Sequence, residues 1–62
     1  MKIVGKQVTA ARDLLGITQA ELAELAGLST DTIFKFEAGK AQPYPSSIEK
    51  IRTALERRGI EF

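Results

Sequence analysis

The 62-residue sequence contains no cysteine and no histidine. Without cysteine the chain has no disulfide, no thiolate metal site and no cysteine nucleophile. Without histidine it also lacks the commonest metal ligand and general base. No convergent pair of carboxylates is visible in the pattern either, so we expect no metal, no cofactor and no enzymatic activity.

Long apolar runs are also absent, and a run of only a few residues is too short to span a membrane. The first five residues are followed by lysine and glutamine, which is not the core of a signal peptide. We therefore expect a cytoplasmic protein with no membrane partner. The formal net charge is only +1, so any binding of nucleic acid must rely on basic residues that are clustered rather than abundant.

Hydrophobic residues make up 44% of the chain and charged residues 27%, which is typical of a soluble globular protein. A chain of this size buries only about 60% of the surface that its unfolded form exposes. We predict a single domain over residues 1–62. Its core must come from side-chain packing alone or be completed by a second copy of the chain.

Glycines divide the sequence into stretches in which apolar residues recur at helical spacing, and we expect Gly16, Gly27, Gly39 and Gly59 to follow helix ends. The predicted helices run from Val4 or Gly5 to Leu15, from Thr18 to the turn at Gly27, from Ser29 to about Ala38, and from Ser46 to about Arg58. Pro43 and Pro45 are expected to keep the preceding loop non-helical. The predicted fold is an all-α bundle of four helices with a short extended C-terminal tail.

Capping boxes are expected at Thr18–Glu21 and Ser46–Glu49, where the second and fourth helices begin. Apolar spacing also predicts which face of each helix is buried. The predicted inward residues are Val4, Val8, Ala11 and Leu15 in the first helix, Leu22, Ala23, Leu25 and Ala26 in the second, Ile33 and Phe36 in the third, and Ile48, Ile51 and Leu55 in the fourth.

The second and third predicted helices have the properties of a helix-turn-helix. Gly27 tolerates the positive φ that the short turn needs, and the small Ala23 permits a close helix crossing. Ile33 and Phe36 hold the third helix from behind, which leaves the opposite face of residues 29–38 free to enter a major groove. A helical wheel places Asp31, Phe34, Lys35 and Ala38 on that outer face.

The segment from Thr18 to Lys40, TQAELAELAGLSTDTIFKFEAGK, closely resembles the helix-turn-helix of the lambda-repressor-like family of bacterial and phage regulators. The resemblance extends back through ARDLLGI (Ala11 to Ile17) and forward through the helix at Ser46 to Arg58. It implies a lambda-repressor-like fold that binds double-stranded DNA sequence-specifically, as a homodimer on a two-fold symmetric operator. We expect a nucleoid-associated transcriptional regulator that acts as a repressor.

The resemblance also assigns roles to individual residues. The residues expected to read bases are Thr30, Asp31, Phe34 and Lys35, and those expected to bind phosphate are Gln19, Thr32 and Lys40. A carboxylate at Asp31 can accept a hydrogen bond from the amino group of cytosine, and Phe34 can lie against a thymine methyl.

Two further pairs of residues complete the candidate set. The family arrangement brings the first helix against the end of the third, so we predict a partly buried structural ion pair between Arg12 and Glu37. Ile60 and Phe62 follow a helix-ending glycine, and they either fold back on the core or meet a second chain. Of these two arrangements we favour a dimer contact.

Two alternatives share the predicted fold. The first is the DNA-binding antitoxin of a toxin–antitoxin pair, in which case a toxin is a further partner. The second is a protein-interaction adaptor that has lost DNA binding. The low net charge, Asp31 and Phe34 favour an adaptor, whereas Gln19, Lys35 and Lys40 favour a DNA-binding protein.

Overall fold

Four α-helices follow one another along residues 3–62, the part of the chain that the computed structural model describes. They are α1 (Gly5–Leu15), α2 (Gln19–Ala26), α3 (Thr30–Glu37) and α4 (Pro45–Glu56). Helix α2 packs against α3 and α4, and α1 packs against the same two helices. The predicted all-α fold is confirmed.

The start of α2 has the predicted capping box. The Thr18 hydroxyl accepts a hydrogen bond from the Glu21 amide at 3.0 Å, and the Glu21 carboxylate accepts one from the Thr18 amide at 2.9 Å. The helix ends at Gly27, whose φ of 70° lets the chain turn at once into α3. At the start of α3 the Ser29 hydroxyl accepts from the Thr32 amide at 3.1 Å, as expected of an N-cap.

The predicted start of α4 was wrong. The helix begins at Pro45, with Tyr44 as its N-cap residue, and Ser46 forms no capping box. Proline lacks an amide hydrogen, but the first helical residue has no partner for one, and the fixed φ of proline suits that position. The prediction treated Pro45 as a helix breaker, although it occupies the one place where proline favours a helix. The helix also ends two residues early, at Glu56 instead of Arg58.

The core draws apolar side chains from all four helices and from Ile3, which precedes α1. Its buried members are Ile3, Val8, Ala11, Leu22, Ala23, Ala26, Ile33, Phe36, Ile51, Ala54 and Leu55. Ile48 and Leu15 are partly buried and pack against this cluster.

Two residues predicted to face inward do not. Val4 is 49% exposed, because it is the extended N-cap residue of α1 and therefore lies outside the helical repeat. Ile3, which is 1% exposed, takes the core position instead. Leu25 is 42% exposed. The buried face of α2 consists of Leu22, Ala23 and Ala26, and Leu25 lies at the edge of that face.

The first turn of α1 lies directly against the end of α3. A Cβ atom added at Gly5 would lie 2.1 Å from the Phe36 carbonyl oxygen and 2.9 Å from the Glu37 Cα. Only a residue without a side chain fits there. This contact sets how closely α1 approaches the last turn of α3.

Candidate nucleic-acid interface

Helix α3 has a fully buried side and an exposed side. Ile33 is 0% exposed and Phe36 is 3% exposed, so the buried side is packed into the core. On the opposite side Thr30, Asp31 and Lys35 are exposed. Such an arrangement holds the helix from behind and leaves its outer side chains available to a partner.

The exposed side carries an ion pair between Asp31 and Lys35. The Lys35 Nζ lies 3.0 Å from the Asp31 Oδ2, with the two residues one helical turn apart. The Lys35 side chain is 52% exposed and that of Asp31 is 67% exposed. Pairs in this setting contribute only about 0–1 kcal/mol, so either group can exchange its partner at little cost.

Phe34 and Lys40 meet beside that ion pair. The chain turns back after α3, where the Lys40 amide donates to the Lys35 carbonyl at 2.9 Å. This turn sets the Lys40 Nζ 5.4 Å from the centre of the Phe34 ring, within the range of a cation–π contact. Phe34 itself is 45% exposed. The Phe34 ring and the Lys40 ammonium group are therefore close enough together to contact the same partner.

The loop from α3 to α4 borders the exposed ion pair. Asp31 and Lys35 line one side of a cleft of about 380 Å³, and Gln42 and Tyr44 line another. Tyr44 is 80% exposed. Gln42 and Tyr44 carry no sequence signal for this position, because a loop's place beside a helix is not encoded in periodicity.

Glu37, at the end of α3, accepts hydrogen bonds from two other helices. The Arg12 Nε donates to Glu37 Oε2 at 2.8 Å, and the Arg12 Nη2 donates to Oε1 at 2.9 Å. Thr9 Oγ1 and Gln19 Nε2 also donate to Oε1, at 2.9 Å and 3.1 Å. We call this group, Thr9, Arg12, Gln19 and Glu37, the Glu37 cluster.

Burial and charge in the Glu37 cluster favour an ionised carboxylate. The Glu37 side chain is 6% exposed and that of Arg12 is 15% exposed. Burial raises the pKa of Glu37, but the hydrogen bonds donated by Arg12, Gln19 and Thr9 outweigh it and hold that pKa below its ordinary value. The hydrogen bond to Glu37 likewise raises the pKa of Arg12.

The cluster joins residues that the sequence had assigned to separate roles. Arg12 and Glu37 lie in contact, and Arg12 also donates to the Ile17 carbonyl at 3.0 Å. Gln19, predicted to bind phosphate, has its amide directed to Glu37. Thr9 was missed, although its position one turn before Arg12 on the same face of α1 was a usable signal.

Three other predicted contact residues, Thr32, Ile60 and Phe62, are not fully exposed. Thr32 is partly buried, and its hydroxyl lies 2.8 Å from the Ser29 hydroxyl, within hydrogen-bonding distance. Ile60 and Phe62 are partly buried and pack against the core of their own chain. This is the folded-back arrangement of the two considered for the tail, and a dimer contact through the remaining exposed parts of Ile60 and Phe62 stays a prediction.

Within residues 3–62 no helix is both long and apolar enough to cross a membrane. The same residues bring together no group of three or more acidic side chains that could hold a metal ion.

Comparison with known proteins agrees with this geometry. A family model for helix-turn-helix domains matches residues 8–62, and the chain belongs to that family, the lambda-repressor-like helix-turn-helix proteins. Most of the chain is also similar in sequence to each of two archaeal proteins. Family membership supports a role in DNA-binding regulation.

One relative, from Methanocaldococcus jannaschii, is named as an HTH-type transcriptional regulatory protein. It is 38% identical over 56 residues, which cover 90% of this chain but only 18% of the relative. The other, from Methanothermobacter thermautotrophicus, is named an uncharacterized HTH-type transcriptional regulator and is 42% identical over 50 residues. That match covers 81% of this chain and 72% of the relative.

Proposed function

We propose that this protein reads double-stranded DNA sequence-specifically and regulates transcription, with α3 placed in the major groove. The observation that carries the proposal is the two-sided character of α3. Ile33 and Phe36 are buried beneath it, while Asp31, Phe34 and Lys35 are exposed on its far side. A helix held in this way can present side chains to base edges without moving relative to its domain.

The proposed contacts divide into two groups. The residues proposed to face bases are Thr30, Asp31, Phe34 and Lys35, and those proposed to bind phosphate are Gln19, Thr32 and Lys40. Gln19 donates one amide hydrogen to Glu37 and has a second available, because a carboxamide carries two. It can therefore bind a phosphate without leaving the Glu37 cluster.

Two copies would bind together. A homodimer with its α3 helices about 34–36 Å apart would fit successive major grooves of a symmetric operator. Occupancy of that operator would repress transcription by excluding polymerase. Ile60 and Phe62 remain proposed dimer contacts, through the parts of these half-buried side chains that do not pack on the core. A cytoplasmic, nucleoid-associated location follows from DNA as the partner.

Selection of binding sites from random duplex DNA tests the proposal. We expect a two-fold symmetric motif whose affinity falls steeply with added salt, since phosphate contacts release counterions. Lys35→Glu should lose most of this affinity, while Lys50→Glu, the same charge change on an exposed position of α4, should retain it. Failure to enrich any sequence, with equal weak binding by both variants, would contradict the proposal.

A protein-interaction adaptor is the second candidate. Leu14 is 81% exposed and Tyr44 is 80% exposed, and an adaptor would bury such large side chains against its protein partner. An antitoxin would combine both roles by binding DNA and a toxin. If no DNA sequence is enriched, crosslinking from Phe34 and Tyr44 would identify the protein partner that the adaptor role requires.

A further inference from the structure

The exposed ion pair of α3 places a hydrogen-bond acceptor beside a hydrogen-bond donor. Asp31 Oδ2 and Lys35 Nζ are 3.0 Å apart, and both side chains are more than half exposed. Asp31 lies in the first turn of α3. Lys35 follows one turn later, in the last turn of the same helix, so the pair lies along the exposed side of α3, the side that a helix-turn-helix directs toward base edges.

A base pair offers the complementary arrangement in the major groove. The amino group of cytosine and O6 of guanine are hydrogen-bonded to each other, so these atoms lie about 2.9 Å apart. The amino group is a donor and O6 is an acceptor. An acceptor and a donor with nearly the same separation, 3.0 Å, can meet both groups at once.

We propose that Asp31 and Lys35 together read a single G·C base pair, with Asp31 facing cytosine and Lys35 facing guanine. This inference rests on the proposed function and deepens it by naming the base pair. The ion pair does not have to break. An ammonium group has three donors and a carboxylate has two oxygens, so each group keeps its partner and still reaches a base.

The atoms next to these groups favour G·C over A·T. Adenine and thymine also present a donor beside an acceptor, but the adenine N7 would repel the Asp31 carboxylate and the thymine methyl would obstruct Lys35. Guanine instead places its N7 acceptor next to O6, where Lys35 gains a second contact, and cytosine has no acceptor next to its amino group in this groove.

Pairing also explains how an acidic residue can lie in a DNA-binding face. An isolated carboxylate would be repelled by the phosphates on both sides of the groove. With Lys35 bound at 3.0 Å, Asp31 enters the groove as part of a neutral unit. That unit adds nothing to non-specific attraction, so it serves selectivity, and the phosphate contacts must supply the salt-dependent affinity.

The test compares the wild-type protein with Asp31→Asn in the same binding-site selection. The wild type should enrich a motif with a fixed G·C pair in each half-site. In Asp31→Asn the carboxamide matches N6 and N7 of adenine and no longer holds Lys35 in an ion pair, so Lys35 can turn away from the thymine methyl, and the pair should change from G·C to A·T. Asp13→Asn, the same change on an exposed position of α1, should leave the motif unchanged.

Titrations on the selected duplex give a second readout. Replacing the G·C pair by A·T should weaken wild-type binding about tenfold or more. Replacing its guanine by 7-deazaguanine, which lacks only the N7 acceptor, should weaken binding by a smaller factor. Circular dichroism of each variant establishes that the fold is retained.

The outcomes separate this inference from the proposed function. A motif that lacks a fixed G·C pair, or one that Asp31→Asn leaves unchanged, overturns the inference and leaves DNA reading intact. A wild-type protein that enriches no sequence overturns both. A change from G·C to A·T in the Asp31→Asn motif, together with weaker binding to 7-deazaguanine, supports the inference.

Discussion

Two ion pairs of similar length lie on opposite sides of α3. Arg12 and Glu37 are 2.8 Å apart with side chains 15% and 6% exposed, whereas Lys35 and Asp31 are 3.0 Å apart with side chains 52% and 67% exposed. Water screens the outer pair but is largely excluded from the inner one. Two pairs of similar length therefore differ in role: the inner pair fixes the helix, and the outer pair remains able to bind a partner.

The largest difference between the two pairs should appear when the acid is removed. Glu37→Ala leaves Arg12, Thr9 and Gln19 without their acceptor, so we expect the free energy of unfolding to fall by about 3 kcal/mol. Asp31→Ala, the matched change in the outer pair, should cost about 1 kcal/mol or less. Urea unfolding at neutral pH, followed by circular dichroism, measures both, and equal losses would contradict the comparison.

A methyl group at Gly5 should disturb the inner side of α3 without touching any charge. Replacing glycine by alanine within a helix normally stabilises a protein by about 0.5–1 kcal/mol. Here the new Cβ would lie 2.1 Å from the Phe36 carbonyl oxygen, so we expect Gly5→Ala to destabilise by about 1–3 kcal/mol instead. The sign of the change in thermal unfolding temperature decides the matter, and a stabilised variant would contradict the close approach.

Lowering the pH should reduce stability by less than Glu37→Ala does, because a protonated Glu37 side chain still occupies the same space. The pKa of Glu37 is lowered in the folded protein, so the unfolded chain binds this proton more readily. The contribution is full above the ordinary carboxyl pKa and is lost as pH falls through the lower folded value. Unfolding free energies from about pH 6 to about pH 3 should therefore fall less steeply for Glu37→Gln than for the wild type. Parallel curves would contradict this assignment.

The smallest expected effect is the coupling within the outer pair. A double-mutant cycle of Asp31→Ala and Lys35→Ala should give about 0.3–0.5 kcal/mol, and added salt should reduce it. The corresponding cycle of Arg12→Ala and Glu37→Ala should give a clearly larger and less salt-sensitive coupling. A near-zero value for the inner cycle would show that Arg12 does not lock α3 to α1.

Local signals in the sequence were sufficient for much of the fold. The capping box at Thr18, the N-cap at Ser29 and the turn at Gly27 depend on residues within a few positions of each other, and all three are present. At the start of α4 two local signals competed. The serine at position 46 suggested a cap, but the N1 preference of Pro45 prevailed.

Features that depend on how helices cross were harder to foresee. The need for glycine at position 5 arises from the distance between α1 and α3, which periodicity does not specify. Thr9 and Gln19 converge on Glu37 from different helices for the same reason. The mutual pairing of Asp31 and Lys35 was within reach of the sequence, because their spacing of four residues places them side by side on a helix.

The position of Glu37 bears on how proteins with this chain's architecture can acquire new targets. Its carboxylate takes its side-chain donors from Thr9, Arg12 and Gln19, none of which is proposed to face a base. The four positions proposed to face bases can therefore be substituted together, while the hydrogen bonds that orient α3 stay the same. Retargeting would then be a matter of a few surface substitutions, with folding left intact.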